Sequence, residues 1–520
     1  MINKTLLVFG LGFITSSTYA MKCNVDLNLE EFKTNPSKFL NAPIPKKDAN
    51  CEDNIFRYFE RGVVDNQEYI RIKDEYRKNI CHTDPITMTK VCLETLDAGE
   101  DVIEGRAPIS SVDRAENLVT GGVVESNIRE MARLGLENGE SEIKPWSDWY
   151  WPIAVGQLSY RYQDEVMMEA YENADISAET AWPWLKQWHE DNPALMLDVN
   201  YLSPAEKYDI LVGDDNFTFT KSMFNAGAGY QEKYGKVETW MGICHGWSPA
   251  SYMLPRPVKT IEVTAADGVT QIEFKPSDLK ALGSQLWATG FQRTKFIGGR
   301  CNSKDPAQDS NGRILDDKCF DNNPGTWHKT VVNQVGKLKS TFVMDATFDY
   351  EVWNHPVTAY SYVYFNPITM EEFDTLEDAI VSRREHRNDK FRRYRSRSAR
   401  YLVGVKMEVE YLVETMPTTL KSDSPVEDAH NYAYYAYDLE LDRNYNIIGG
   451  EWYQNKHPDF LWTPFENSHA TSSVDNYLPA TIDLKNLGQY NLSRLAPHSS
   501  QRAQPIGKLV EALLQAANEN

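Results

Sequence analysis

The chain is poor in the features by which many proteins bind metals, nucleic acids or membranes. It has seven cysteines in 520 residues, with no Cys-x-x-Cys pair and no His-Glu-x-x-His segment, so a zinc site is not predicted. The net charge of −21 argues against broad binding to phosphate backbones, and no nucleic-acid partner is expected. A run of eighteen apolar residues is also missing, which argues against a transmembrane segment.

The first twenty residues have the layout of a secretory signal peptide. They contain one early lysine, an apolar run from Leu6 to Ile14, and small or polar residues up to Ala20. The apolar run is too short to cross a bilayer. We therefore predict a secreted protein, extracellular or periplasmic, whose mature chain begins near Met21. A lipid anchor is not expected, because Cys23 lacks the preceding Leu-x-x pattern of a lipoprotein.

Cysteine pairing then singles out one residue. In an oxidising compartment an even set of cysteines tends to form disulfides, and an odd one is a candidate free thiol. Proximity along the chain suggests three pairs, although other connectivities stay open: Cys23 with Cys51, Cys81 with Cys92, and Cys301 with Cys319. Cys244 is left alone, in the Gly- and Trp-flanked segment GICHGWSPA.

Changes in composition divide the chain into four regions. Residues 1–20 are the signal peptide, 21–144 a helical or irregular N-terminal region, 145–480 the main domain, and 481–520 a C-terminal tail. The boundary at 145 is marked by PWSDWYWP, with three tryptophans and two prolines in eight residues. In the tail, the apolar residues of QPIGKLVEALLQAANEN recur at helical spacing, which predicts an amphipathic helix docked on a core.

Start signals and periodicity predict helices before Cys244 and mainly strands after it. LSPAEKYDILVGD carries a capping box with a first-turn proline, and SNIREMARLGLENG predicts a helix that Gly139 ends. KTIEVTAADGVTQIEF and YAYDLELDRNYNIIGGEWY are typical of hairpins, and GVKMEVEYLVE alternates like a half-buried strand. The predicted class is α+β, with helices first and antiparallel sheet later.

One basic segment opposes the acidic average of the chain. Residues 382–400, SRREHRNDKFRRYRSRSAR, hold nine lysines and arginines. Runs of like charge are usually solvated, so this segment predicts an exposed loop.

A nucleophilic thiol needs a base within reach and a group that orients the base. His245 is a poor base for Cys244, because adjacent side chains point apart. His328, in PGTWHKTVVNQV, follows a Pro-Gly bend at the expected start of a strand, where a side chain is both held and exposed. We predict that His328 holds Cys244 partly as the thiolate. Pro249 argues against a helix beginning at Cys244, so activation by a helix dipole is not expected.

The orienting group is predicted from strand register. The segment VGKL, 335–338, is typical of a two-residue hairpin turn with glycine at its first central position. Pairing across that turn places Asp345 opposite His328, with Cβ atoms roughly 5 Å apart. Asp349 falls four residues away, roughly 13 Å along the strand. The predicted triad is therefore Cys244, His328 and Asp345.

Five spaced segments resemble those of the transglutaminase elicitor family, secreted enzymes of oomycete plant pathogens and some marine bacteria: LSPAEKYDILVGD, CHGWSPAS, NPGTWHKTVVNQVG, EVWNHPV and NIIGGEWYQNKHPDFLW. The resemblance covers roughly residues 145–480. It implies a papain-like or transglutaminase-like catalytic core with a Cys-His-Asp triad. Cys244 and His328 fall on the motifs of the nucleophile and the base, and Asp345 follows the family order.

The resemblance implies a protein-glutamine γ-glutamyltransferase. A glutamine side chain of a protein or peptide forms a thioester with Cys244, and a lysine or other primary amine takes the acyl group. The sequence requires no cofactor. Calcium stays open, because many transglutaminases depend on it and DSNGRILDD, 309–317, is acidic but misses the EF-hand pattern.

Two other functions stay open at this point. A papain-like cysteine peptidase uses the same chemistry up to the thioester, although Trp240, Trp247 and Trp327 are expected to exclude water and favour transfer to an amine. A non-enzymatic exported binding or adhesion protein is the other alternative. Its signature is a Cys244 that is buried, far from His328 or disulfide-bonded.

Overall fold

The structure is a computed structural model. It describes residues 113–119, 121–174, 176–177, 180–299, 309, 313, 322–346, 351–453 and 457–518, together with the backbone of two short strands at 81–83 and 90–92. The signal-peptide prediction, two of the three disulfide predictions and Asp349 lie outside these residues. None of the described helices is long and apolar enough to span a membrane.

The helices cluster in the first half of the described chain and at its end. They are α1 (Ile128–Arg133), α2 (Glu165–Asn173), α3 (Ala181–Asp191), α4 (Pro204–Val212), α5 (Thr218–Tyr234), α6 (Cys244–Met253), α7 (Pro276–Thr289), α8 (Pro324–Val331), α9 (Leu376–Ala379), α10 (Leu492–Ser500) and α11 (Gly507–Asn518). A π-helix, Val332–Lys337, continues α8.

The strands dominate the second half. They are β1 (Cys81–Thr83), β2 (Lys90–Cys92), β3 (Asn138–Glu140), β4 (Ile261–Thr264), β5 (Gln271–Phe274), β6 (Thr294–Gly298), β7 (Val343–Asp345), β8 (Asn354–Phe365), β9 (Glu372–Phe373), β10 (Val381–Ser382), β11 (Tyr401–Val413), β12 (Ala429–Leu441), β13 (Ile447–Trp452) and β14 (Phe460–Pro464).

Among the described residues, ten strands form one antiparallel sheet in the order β13-β12-β11-β8-β7-β14-β6, with β3 and β9 on β8 and β10 on β11. Two hairpins stand apart, β1 with β2 and β4 with β5. The predicted α+β class, with helices before the antiparallel sheet, is confirmed.

Local sequence explains most of these elements. The Ser203 hydroxyl and the Glu206 carboxylate form the predicted capping box at the start of α4, and Gly213, with φ 74°, ends the helix. Strand β11 places Val405, Met407 and its other apolar residues inward. The predicted hairpins are confirmed as β4 with β5 and β12 with β13.

The described residues form two large hydrophobic cores. The first joins α4, α5, α6, α7, α10 and α11, and it includes Cys244 and Trp247. The second lies between the sheet and α8, and it includes Trp327 and the inward tyrosines of β8 and β12. The C-terminal helix α11 is confirmed, with Leu509 and Leu513 buried in the first core.

Part of the N-terminal region belongs to this fold. Ile128 and Met131 of α1 pack in the second core, and β3 pairs with β8. Residues 121–144 therefore pack on the sheet of the main domain, although the predicted boundary at residue 145 assigns them to the N-terminal region. The prediction that Gly139 ends α1 is wrong: the helix ends at Arg133, Gly135 has φ 66°, and Gly139 lies within β3.

The strand and hairpin predicted around His328 are also wrong. Asn323 caps α8 by accepting from the Gly325 N–H at 2.8 Å, and Pro324 occupies the first helical position. Trp327, Val331 and Val335 then recur every four residues, and all are fully buried. Helical burial overrides the strand preference of the β-branched run. Strand β7 pairs with β8 instead, placing Asp345 opposite Asn354.

Candidate active site

Two glycines set the position of the helix that carries Cys244. A Cβ at Gly242 would lie 2.2 Å from the Tyr150 carbonyl oxygen, and one at Gly246 would lie 2.1 Å from the Ser284 carbonyl oxygen. Both distances are too short for a side chain. Gly242 is therefore required for the close approach to Tyr150, and Gly246 for α6 to pack against α7.

Cys244 is the first residue of α6, and the helix continues through Pro249 to Met253. The expectation that Pro249 would prevent this helix is wrong. The proline lacks the N–H that would bond the carbonyl of residue 245, and it is buried within the helix. The sulfur therefore lies at a helix N-terminus, where the peptide dipoles favour negative charge.

The sulfur of Cys244 is held against the chain that leads into β8. It donates to the Val352 carbonyl oxygen at 3.6 Å, and the Asn354 Nδ2 donates to the sulfur at 3.6 Å. The Trp462 indole donates to the Asn354 Oδ1 at 2.8 Å. Because that indole is only a donor, it fixes the amide with its NH2 group towards the sulfur.

Burial dominates the acidity of this thiol. Only 2% of the Cys244 surface is exposed, and burial raises the pKa of the thiol to about 12. The Asn354 backbone and side-chain donors oppose this rise, while the Glu414 and Asp345 carboxylates add to it. Cys244 is thus a neutral thiol at rest, contrary to the expected partial thiolate.

A second histidine directly follows the asparagine that contacts the sulfur. His355 follows Asn354 in β8. Its ring centroid is 6.0 Å from that of Trp247, which lies one turn after Cys244 in α6. Its ring is parallel to that of Trp353. Its Nδ1 lies 2.9 Å from the Leu412 carbonyl oxygen. A carbonyl only accepts, so Nδ1 carries the proton and Nε2 the lone pair. Burial lowers the pKa of His355, so the ring is neutral at rest.

A carboxylate and a phenol complete the group. The Glu414 Oε1 lies 3.9 Å from the His355 Nε2, and its charge also raises the pKa values of Cys244 and Tyr150. The Tyr150 hydroxyl donates to the Thr239 carbonyl oxygen at 2.9 Å, and its half-buried ring meets the Trp353 ring edge-on at 5.2 Å. Glu414 therefore lies near His355, and its charge also acts on the Cys244 thiol.

The structure does not bring His328 to Cys244. The His328 Nδ1 lies 2.9 Å from the Tyr437 hydroxyl, and its ring packs 4.9 Å from the Tyr362 ring. Tyr362 stands eight residues along β8 from Asn354, about 26 Å at strand rise. Side chains cannot bridge that distance. Burial also lowers the pKa of His328 to about 3, so this histidine is a neutral core residue.

Asp345 lies near Cys244 but does not contact His328 in the predicted way. It is buried, and its Oδ1 accepts from the Trp353 N–H at 3.0 Å. Its charge contributes to the raised pKa of Cys244. The carboxylate thus fixes the segment that carries Trp353 and Asn354 against the sulfur.

The three tryptophans that were expected to exclude water lie in different places. The Trp240 indole donates to Glu238 at 2.6 Å, the Trp247 indole donates to the Trp146 carbonyl oxygen, and Trp327 lies in the second core. The three tryptophans therefore do not form one channel.

Two predictions fall wholly or partly outside the described residues. Cys81 and Cys92 are directly opposed in the β1–β2 register, which agrees with their proposed pairing at backbone level. Of the acidic segment 309–317, only Asp309 and Arg313 are described. No cluster of three or more metal-binding side chains occurs in the part of the chain that the structure describes.

The basic segment 382–400 is not simply a solvated loop. Arg395 is fully buried, with ion pairs to Asp389, Asp438 and Glu440. Most other arginines of the segment are exposed, as predicted. The number of like charges in the segment does not reveal that Arg395 is buried, because its partners Asp438 and Glu440 belong to the distant strand β12.

Sequence reasoning missed Asn354, His355 and Glu414. The first two lie in EVWNHPV, a polar pair at the head of a long alternating strand, TAYSYVYF. That position was the available signal, because side chains at the start of a strand can be held and still approach a neighbouring helix. Glu414 had no such signal, since it directly follows β11 and resembles the glutamates of that strand.

No curated protein matches the chain. Among solved structures, the GP42 transglutaminase from Phytophthora sojae is similar, with 21% identity over 73% of this chain and 99% of that chain, at a TM-score of 0.42.

The family model described as Transglutaminase elicitor matches residues 120–479. The match begins before β3, includes Cys244, Asn354, His355 and Glu414, and ends before α10. It spans more than half of the chain, and this protein therefore belongs to the transglutaminase elicitor family.

Proposed function

We propose that the protein is an exported protein-glutamine γ-glutamyltransferase with Cys244 as its nucleophile and His355, in place of His328, as its base. One observation carries the proposal. The Cys244 sulfur lies at a helix N-terminus and accepts from the Asn354 amide, and the next residue is a histidine whose unprotonated nitrogen lies near Glu414. These contacts support the proposal, because α6 supplies a nucleophile while β8 and the residue after β11 supply a base and a carboxylate that can stabilise the charged base.

Both reacting groups are neutral at rest. When a substrate displaces the Val352 carbonyl from the thiol, the Cys244 proton passes to the His355 Nε2. The resulting imidazolium lies beside the Glu414 carboxylate, and the thiolate is held by the two Asn354 donors and the helix N-terminus. Asp345 acts as a positioning residue, because its carboxylate holds the Trp353 N–H and so the segment that carries Asn354.

The chemistry then runs in two halves. The thiolate attacks the glutamine carboxamide carbon, a C–S bond forms, the C–N bond breaks, and ammonia leaves with the proton from His355. A primary amine next attacks the thioester carbon while His355 takes its proton; an isopeptide or amide bond forms, the C–S bond breaks, and His355 returns the proton to the Cys244 sulfur. The partners are protein or peptide glutamines and lysine or other amines.

Access to the sulfur requires local movement. Tyr150 and Trp353 are half-buried and lie edge to face, while Val352 is buried against the thiol. We infer that glutamine enters between Tyr150 and Trp353. Exclusion of water by these rings favours an amine over water as the second nucleophile, which separates the transferase from a cysteine peptidase.

One observation favours a second candidate function. Cys244 is buried and distant from His328, the signature expected of a non-catalytic exported binding protein. In that case the free thiol is a core residue, and the protein acts by surface recognition alone. The neighbouring His355 and Glu414 favour the enzyme.

Incorporation of a fluorescent primary amine into casein separates the candidates. The transferase predicts labelled casein with no chain cleavage, and loss of labelling in Cys244→Ala. Cleavage without labelling identifies a peptidase, and neither activity in the folded wild-type protein supports the binding protein. The assay is run with added calcium and with a chelator, because segment 309–317 is the candidate for a calcium dependence.

A further inference from the structure

One surface loop is strongly basic in an otherwise acidic chain. The net charge of the chain is −21, yet residues 383–400, which join β10 to β11 and are called the basic loop below, hold nine lysines and arginines. Glu385 is the single exposed carboxylate of this loop. Seven of its cationic side chains are exposed: Arg384, Arg387, Lys390, Arg392, Arg393, Arg397 and Arg400.

The basic loop is anchored on its inner side. Its ends meet, because the Arg383 N–H donates to the Arg400 carbonyl oxygen at 3.0 Å. The buried Arg395 guanidinium donates to Asp389 at 2.9 Å and to Asp438 at 2.6 Å. The exposed cations therefore lie on a loop that is already ordered, which reduces the entropy lost when a partner binds.

Few carboxylates neutralise the exposed cations. The nearby carboxylates of β12 pair with the buried Arg395 instead. Arg393 pairs with Asp309 at 3.1 Å. Four exposed cations have no carboxylate partner among the residues that the structure describes: Arg384, Arg387, Arg392 and Arg400. Because salt screens charges beyond about 8 Å at physiological ionic strength, the loop attracts anions despite the acidity of the whole chain.

The kinds of polar side chain in the loop define what it can bind. Six of the seven exposed cations are arginines. A guanidinium donates through a planar fork that matches sulfate, carboxylate and phosphate groups, whereas the lysine ammonium is a point charge. Exposed Asn388 and Ser398 lie between the arginines along the chain. The loop therefore offers groups that bind oxyanions together with groups that bind hydroxyls.

The loop offers almost no apolar or aromatic surface. Phe391 and Ala399 are buried. The guanidinium groups of Arg313 and Arg393 lie over the Tyr394 ring, 3.8 and 4.5 Å from its centroid. Protein interfaces have an apolar core, membrane-bound segments bury apolar side chains, and single-stranded nucleic acids stack on aromatic rings. A polysaccharide that binds through charge and hydroxyl groups needs none of these.

We propose that the basic loop is a binding site for an acidic polysaccharide, a chain of sugars that carries sulfate or carboxylate groups. The arginines pair with the anionic groups, and Asn388 and Ser398 bond the hydroxyls. A single polymer strand is narrow, so it contacts the loop without facing the acidic remainder of the surface, as a flat anionic membrane would. The proposal is independent of acyl transfer at Cys244.

Three anionic probes test the class of partner. The full chain is titrated calorimetrically with a heparin oligosaccharide, with vesicles that contain phosphatidylserine, and with a single-stranded oligonucleotide. At about 0.15 M salt, heparin should bind at least tenfold more tightly than the other two probes, and neutral dextran should not bind. The affinity for heparin should fall as the salt concentration rises.

Two double variants test the location. Arg384→Gln with Arg387→Gln removes two unpaired cations of the loop and should weaken heparin binding at least tenfold. Lys233→Gln with Lys236→Gln removes the same charge from exposed residues at the end of α5 and should change the affinity by less than about threefold.

The proposal is overturned if the wild-type protein does not bind heparin, or if it binds the vesicles or the oligonucleotide as tightly. It is also overturned if the folded loop variant keeps its affinity, or if the variant at the end of α5 loses as much.

Discussion

The Asn354 side-chain amide donates to the Cys244 sulfur across 3.6 Å, and the Trp462 indole fixes its orientation. The two residues come from the head of β8 and the first turn of α6. Their contact joins the sheet to the helical core at the proposed nucleophile. A thiol that is otherwise buried away from water thus has a built-in donor for its charged form.

Asn354→Asp should reduce the reactivity of Cys244 sharply. The substitution keeps the shape but replaces a donor with a carboxylate that repels the thiolate. Hydrogen bonds to charged groups contribute about 1.5–3 kcal/mol, so alkylation by iodoacetamide should slow at least tenfold at a fixed pH. Trp462→Phe, which only releases the amide, should slow it less. Equal rates in wild type and Asn354→Asp would show that the amide does not act on the sulfur.

Tyr150 should control access to the thiol. In the native protein Cys244 should alkylate more slowly than a cysteine in an unfolded peptide near neutral pH, because it is buried and its pKa is raised to about 12. Tyr150→Ala should raise the labelling rate several-fold. Tyr150→Phe keeps the ring and loses only the bond to Thr239, so it should change the rate little. Rapid labelling of the wild-type protein contradicts this account.

The buried ion network of Arg395 should be a large stability determinant. Removing its charge leaves Asp438 and Glu440 buried without their main partner. Breaking a buried pair in this way costs about 3–5 kcal/mol. Arg395→Ala should therefore lower the free energy of unfolding in urea by that amount, whereas exposed Arg392→Ala should change it by less than about 0.5 kcal/mol. Similar values for the two variants would contradict the burial of Arg395.

His328 should make the protein sensitive to acid. Its pKa is lowered to about 3 in the folded state, while the unfolded chain titrates near pH 6.5. Between these values the unfolded state binds the extra proton, so stability contributed by neutral His328 is present above about pH 6.5 and is lost as the pH falls.

One substitution isolates this contribution. His328→Gln should reduce the pH dependence of the unfolding free energy by up to about 1.4 kcal/mol per pH unit between pH 4 and 6. A wild-type slope in this variant would place His328 in contact with solvent.

The sequence predicted elements where local signals and burial agree. The capping box of α4, the alternation of β11 and the spacing in α11 each specify one structure, and each is observed. Prediction from the sequence failed where a local strand preference competed with helical burial. The segment after Pro324 is rich in β-branched residues, yet its Trp327, Val331 and Val335 bury at helical spacing beneath the sheet, and tertiary packing decided the outcome.

The site was predicted in part for the same reason. Cys244 follows from cysteine arithmetic and from its glycines, which are local features. The partner groups depend on which strand lies beside α6, and that pairing is long-range. Because a hairpin turn was wrongly predicted at Gly336, His328 was chosen as the base and His355 was not considered. Both histidines are buried and neutral, and only their neighbours in the fold distinguish them.

The most direct test compares the two histidines in amine incorporation into casein. General bases contribute about 10²–10⁴-fold, so His355→Gln should lose at least a hundredfold in rate with Cys244 intact. His328→Gln, compared per folded molecule, should stay within about threefold of wild type. Loss of activity in folded His328→Gln together with retention in His355→Gln would contradict the proposed assembly of Cys244, His355 and Glu414.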